Sequence, residues 1–85
     1  MRHRLEIVPS AVRQLSDLPR PVQIRLDKKM LALEAHPRPR GALKLAGADD
    51  LYRIRVGDYR VIYQIDDRKR RVVIARIGHR RDMHR

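Results

Sequence analysis

Apolar positions alternate with polar ones at both ends of this chain and recur every three to four residues between them. From His3 to Val8, Leu5 and Ile7 fall on one side, which predicts a short first strand. Pro9-Ser10 follows, with Ser10 placed to cap a helix carrying Val12, Leu15 and Leu18 at three-residue spacing. Leu18-Pro-Arg-Pro21 should stop that helix and start another, because proline is tolerated in a first turn and not in a helix interior. The second helix lines up Val22, Leu26, Met30 and Leu33, with Arg25, Lys28 and Lys29 off that stripe. His36-Pro-Arg-Pro-Arg-Gly41 ends it.

Period two then returns. Leu51–Val56, Tyr59–Asp66 and Arg71–Gly78 read as a three-stranded meander. Gly57-Asp58 is a short turn with glycine at its first position, where a positive φ is needed. A two-residue loop pairs Val56 with Tyr59, Arg55 with Arg60, Ile54 with Val61 and Arg53 with Ile62. Ile54, Val56, Tyr59, Val61 and Tyr63 then share the core face, and Arg53, Arg55 and Arg60 share the other. Arg55 directly opposite Arg60 is a repulsive pair, tolerable where the face meets solvent or a polyanion. For the last strand, an odd-length loop such as residues 67–69 puts Val73, Ala75 and Ile77 on the core face. It also puts Arg76 opposite Arg60, whereas an even loop would drive Arg76 into the core as an unpaired charge. The odd loop is the expectation. The fold class that results is α/β (α+β): an N-terminal strand, a helical hairpin on one face, and a sheet of about four strands in a single domain spanning residues 1–85.

Composition sharpens this picture. With 85 residues and neither Phe nor Trp, the core must come from Leu, Ile, Val and Ala with three tyrosines. The net charge of +11 is uneven: ten Lys/Arg face six Asp/Glu in residues 1–50, but eleven face four in residues 51–85. That field favours nucleic acid or an acidic protein. Membrane association is disfavoured, since no apolar run could span a bilayer and no signal-peptide pattern is present. Without cysteine there are no disulfides or thiolate ligands, so a bacterial or archaeal cytoplasm is the expected setting. No Asp/Glu/His cluster has metal-ligand spacing and no glycine-rich phosphate loop occurs, so no cofactor is expected.

Three segments resemble the RelE/ParE toxin superfamily of type II toxin–antitoxin systems. They are Pro37-Arg-Pro-Arg-Gly-Ala-Leu-Lys-Leu-Ala-Gly47, Asp50-Leu-Tyr-Arg-Ile-Arg-Val-Gly-Asp-Tyr-Arg-Val-Ile-Tyr-Gln-Ile-Asp66 and Val73-Ile-Ala-Arg-Ile-Gly-His-Arg-Arg-Asp82. Within that superfamily the RelE-like branch, ribosome-dependent mRNA endonucleases, fits better than the ParE-like branch, which poisons DNA gyrase. The resemblance implies a site made of basic residues before the glycine turn, an arginine after it, an arginine after the last strand and a tyrosine or histidine in the tail. Those roles fall on Arg53 and Arg55, Arg60, Arg80 and His84. Arg76, His79, Arg81 and Lys44 would add RNA contacts. The resemblance also implies an adjacently encoded antitoxin, expected to be acidic, joined to the toxin in a hetero-oligomer, with the ribosome and mRNA as further partners.

The residue types suit RNA cleavage without a metal, in which the 2′-hydroxyl attacks the adjacent phosphorus. Guanidinium groups at Arg60 and Arg80 would hold the phosphate oxygens, and Arg53 and Arg55 would add positive potential. Arginine, with a pKa of about 12.5–13.8, is a poor base near neutrality. His84 is therefore assigned as general acid, with His79 in reserve and the general base open. Lysines are commoner in the family at the positions of Arg53 and Arg55, and tyrosine at that of His84. Blander readings stand beside these: Arg53 and Arg55 as charges that guard a strand edge, His79 as a surface histidine, and Tyr52, Tyr59 and Tyr63 as core aromatics. Competing functions are a ParE-like gyrase poison, a non-catalytic nucleic-acid-binding module, and a relic that binds only an antitoxin.

Overall fold

The structure, a computed structural model, describes residues 2–47 and 50–81. Its elements run β1 (Arg4–Ile7), α1 (Pro9–Ser16), α2 (Arg20–Ala32), β2 (Leu43–Lys44), β3 (Leu51–Val56), β4 (Tyr59–Asp66) and β5 (Arg71–His79). The strands form one sheet in the order β1-β5-β4-β3-β2, with β1 parallel to β5 and every other pair antiparallel. Both helices pack on the same face. A fifth strand, β2, joins the expected four; two exposed residues between Gly41 and Gly47 are too short to show an alternation.

Proline sets both helix starts. Pro9 occupies the first turn of α1, and the Val8 carbonyl takes the Val12 amide, so Ser10 lies inside the helix rather than capping it. Leu15 and Leu18 pack against the core as the spacing predicts, but the first inward position of α1 is the fully buried Ala11 and not Val12, which is 49% exposed. The Pro19 carbonyl accepts the first amides of α2, with Pro21 in its first turn. The α2 stripe is as the spacing predicts, with Leu26, Met30 and Leu33 buried and Val22 packed against them.

The β3–β4 hairpin has the expected register at every pair named above. Gly57 adopts φ +61, the conformation that the turn demands of its first residue. Ile54, Val56, Val61 and Tyr63 are buried under the helices, with Tyr59 packed at the margin.

The register of β5 differs from expectation. The loop holds four residues, 67–70, with Asp66 paired to Arg71, so the odd-loop argument fails. Val72 and Ile74 are fully buried, while Val73 lies opposite Gln64 on the open face. A β-bulge then breaks the ladder: Ile62 pairs with Arg76 but Tyr63 pairs with Ile74, leaving Ala75 as the extra residue. Beyond the bulge Ile77 returns to the core and Arg76 points out. Arg76 is thus kept from the core as anticipated, but it sits opposite Ile62, and Gly78 faces Arg60. Past the end of β1, the Gln14 side chain accepts the Ile77 amide at 2.8 Å and blunts the edge that β1 leaves uncovered.

Candidate nucleic-acid interface

The face of the sheet away from the helices carries the arginines. At the hairpin tip the register lays Arg55, Arg60 and Gly78 in one row, and Arg53, Ile62 and Arg76 in the next. Gly78 presents no side chain beside Arg60, so the neighbouring guanidinium groups have room there. Just beyond β5, the Arg80 amide donates to the Asp58 carbonyl at 2.8 Å, which docks the start of the tail onto the hairpin turn. Arg60 is therefore held between two elements that bring cations to it.

The electrostatics follow from that placement. The Arg60 guanidinium is pushed below its ordinary value, first by partial loss of water and then by repulsion from Arg53, Arg55 and Arg80. The Nε atoms of Arg53 and Arg60 are shielded from solvent and have no hydrogen-bond partner among the described residues. No ion pair among the described residues involves Arg53, Arg55, Arg60 or Arg80. Four like charges thus share one field, and no carboxylate among the described residues forms an ion pair with any of them.

The remaining expected residues separate. Arg76 belongs to the same face, one row from the tip. Arg81 is exposed at the start of the tail, and its amide donates to His79 Nδ1 at 3.1 Å. His79 pairs with Tyr59 and meets its ring edge-on at 5.3 Å, which places it on the helix side of the sheet, away from Arg60. Lys44 likewise pairs with Tyr52 on the helix side, while Leu43 is the β2 residue beside Arg53. His84 lies outside the described residues. Consequently the described part of the arginine cluster can bind and polarise a phosphate, but supplies no imidazole to it. Among the described residues no group of three or more His, Asp or Glu is placed to hold a metal ion.

One cation at the tip was not singled out from sequence. Arg25 projects from α2 so that its Nη2 lies 2.6 Å from where a Cβ on Gly57 would sit. Its only sequence signal is that it lies off the apolar stripe of α2, a property it shares with Lys28 and Lys29.

Similarity to known proteins identifies the family and the fold. A family model described as the ParE toxin of a type II toxin–antitoxin system matches residues 5–84. The chain belongs to the RelE/ParE toxin family. A Methanocaldococcus jannaschii relative bearing the toxin name RelE1 is 31% identical over 84 residues, covering 94% of this chain and 92% of its own. The fold of this RelE/ParE toxin is also that of solved relatives. An archaeal RelE–RelB complex from Pyrococcus horikoshii contains a chain 35% identical, with TM-score 0.84 over 94% of this chain and 97% of that one. The isolated Escherichia coli RelE toxin superposes with TM-score 0.81 at 29% identity, over 91% of this chain and 83% of its own. Among the described residues no helix is long and apolar enough to cross a membrane.

Proposed function

We propose that this toxin is a ribosome-dependent, metal-independent mRNA endonuclease that halts translation and is held in check by an antitoxin. The observation that supports this reading most strongly is the unpaired arginine field centred on Arg60. A phosphodiester passing through a pentavalent state gathers negative charge on its equatorial oxygens, and preorganised cations stabilise that state more than the ground state. Arg60 and Arg80, brought together by the Asp58–Arg80 hydrogen bond, would grip those oxygens, with Arg53 and Arg55 raising the local potential. The 2′-oxygen would bond to phosphorus as its proton passes to solvent, the P–O5′ bond would break to leave a 2′,3′-cyclic phosphate, and His84 would protonate the departing 5′-oxygen. His79, turned to the helix side, is poorly placed to substitute.

The partner proposed for the toxin is an acidic antitoxin from the neighbouring gene. Relatives solved as toxin–antitoxin complexes, such as the Pyrococcus horikoshii RelE–RelB pair, support that assignment. An extended or helical segment of it would order on contact, burying apolar helix positions that stay open here, namely Val12, Ile24 and Leu31.

A second reading is favoured by the ParE name of the matching family model: a gyrase poison that binds without cleaving. One paired experiment separates them. Purified toxin is added to translating ribosomes and mRNA 5′ ends are mapped, then added to gyrase with supercoiled plasmid. New ends within ribosome-bound codons support the nuclease; stabilised double-strand breaks in the plasmid support the gyrase poison. His84→Ala should slow single-turnover cleavage while ribosome binding is retained. Loss of binding instead would make His84 a docking residue.

A further inference from the structure

The arginine field does not stop at the open face. Arg25 and Lys29 lie one helical turn apart on α2 and so project from the same strip of the helix. Arg25 rests its guanidinium on the Gly57 turn, at the same tip that bears Arg55 and Arg60. Lys29 overhangs a groove of about 460 Å³ between α2, the loop after it and the end of β3. Leu33, Ile54 and Pro39 supply an apolar floor, and Arg40 and Arg55 complete a cationic rim with Lys29. Arg38 forms a fixed wall, because Asp67 holds it at 2.8 Å and Tyr52 at 3.1 Å. No carboxylate lines the groove. Arg25, Lys29, Arg40 and Arg55 take part in no ion pair among the described residues. Arg55 belongs to both regions, sharing its row with Arg60 on the open face and walling the groove at the sheet edge.

We infer that this groove is a nucleotide-binding subsite for the single-stranded RNA that flanks the phosphate held by Arg60 and Arg80. The strand would turn round the edge of β3, with its phosphates on Lys29, Arg40 and Arg25 and a sugar or base against Leu33, Ile54 and Pro39. The volume lies within the ~300–1,000 Å³ range of small-ligand sites. The apolar floor of Leu33, Ile54 and Pro39 carries no group that reads a base edge, and His36, the one ring in the lining, offers a stacking face common to every base, so the subsite accepts any base and reads the backbone. A peptide fits less well. The β2 ladder ends at the Leu43–Arg53 pair, and beyond it β3 turns outward only the amide and carbonyl of Arg55. Strand addition needs a longer row of partners than that.

This inference rests on the RNA reading above, and the test separates the two. The probe is a short fluorescent single-stranded RNA with 2′-O-methyl sugars, which cannot be cleaved by 2′-hydroxyl attack. Its affinity for the full chain is measured across a range of salt for wild type, K29Q/R40Q, R25Q and R60Q, with melting temperatures checked for each. Every phosphate contact removed should lower the log–log salt slope by about 0.7, so R25Q loses about 0.7 and K29Q/R40Q about 1.4. In wild type, 4-thiouridine placed beside the scissile position should crosslink to the segment holding Leu33 or Pro39, a readout independent of whether any variant folds. An unchanged slope in K29Q/R40Q and R25Q, with a fall in R60Q, overturns the groove and leaves the open-face site standing. Unchanged slopes with weakened binding of the antitoxin encoded beside the toxin assign the groove to a peptide and also overturn the proposal. A wild-type chain that binds the RNA no better than R60Q removes the RNA reading itself.

Discussion

The two ends of the sheet carry similar side chains and treat them in opposite ways. Around the β4–β5 loop, several cations meet carboxylates. Arg38 donates to Asp67, His3 approaches the same carboxylate at 3.1 Å, and Arg71 reaches both Glu6 and Asp66. The Tyr63 hydroxyl donates to the Pro37 carbonyl at 2.7 Å, and Tyr52 stacks on Tyr63 with Arg38 over its ring. At the hairpin tip, by contrast, Arg53, Arg55, Arg60 and Arg80 repel one another and form no ion pair among the described residues. Acidic residues are not scarce in the chain, which has ten. Their placement is what differs. One end uses charge to fasten β1, β4, β5 and the loop after α2; the other leaves charge available to a ligand, at a cost to the fold.

The comparison predicts which substitutions damage activity and which damage stability. The largest effect should come from Arg60→Ala and Arg80→Ala, each lowering single-turnover mRNA cleavage by about two to three orders of magnitude. Melting temperature should hold or rise, since repulsion is relieved. Wild-type cleavage by both variants would move the site elsewhere.

At the fastened end the signs reverse. Tyr63→Phe should cost about 1–3 kcal/mol in chemical denaturation, because a shielded carbonyl at Pro37 loses its donor, with cleavage unaffected. The same variant carries a pH signature. Burial, then the neighbouring Tyr52, pushes the Tyr63 hydroxyl up to about 12. The folded state therefore holds a proton that the unfolded state releases near pH 10. Its contribution is complete below about 10 and falls away between about 10 and about 12. Tyr63→Phe should flatten that part of the stability–pH curve, and an unaltered curve would exclude Tyr63 as its source.

A carboxylate placed at the tip tests the comparison directly. Arg55→Glu sets opposite charges across the ladder from Arg60, which should stabilise the hairpin by about 0.2–1 kcal/mol while reducing cleavage. A variant that is both stable and fully active would show that the field at Arg60 is not used. The smallest effect is expected for Asp67→Asn. Hydrogen bonds from Arg38, then His3, hold the Asp67 carboxyl below its usual range. The stabilisation is present above the unfolded pKa of about 3.9 and is lost as pH falls through the folded one. Because Asp67 is exposed, wild type should exceed the variant by at most about 1 kcal/mol near neutrality, converging in acid.

The hairpin was legible from sequence because three local signals agree: alternation on both sides, a glycine where φ must be positive, and a loop too short for any other register. The second helix was legible for the same reason, its stripe being long and uninterrupted. The misread elements lacked such redundancy. Ser10 does not cap α1 because Pro9 starts the helix two positions earlier, with Val8 as its cap; Val12 faces out because the small Ala11 is the residue packed inward; and β2 has too few residues to show a period. For β5, the sequence shows that Arg76 must face outward but not how, since loop parity and a bulge achieve the same end. The arginines of the site were readable as a face. Which cations from α2 meet that face depends on tertiary packing, and nothing near Arg25 in the sequence points to Gly57.

The bulge at Ala75 also works as a parity check on this part of the chain. Strand side chains count modulo two, and Val72 and Ile74 point inward with Ile77 three residues further on, so one extra residue between them returns Ile77 to the core and keeps Arg76 outside. Removing Ala75 would therefore leave an unbroken ladder with every side chain of β5 on its present face, whereas a residue added elsewhere in the strand would turn part of it over or force a second bulge.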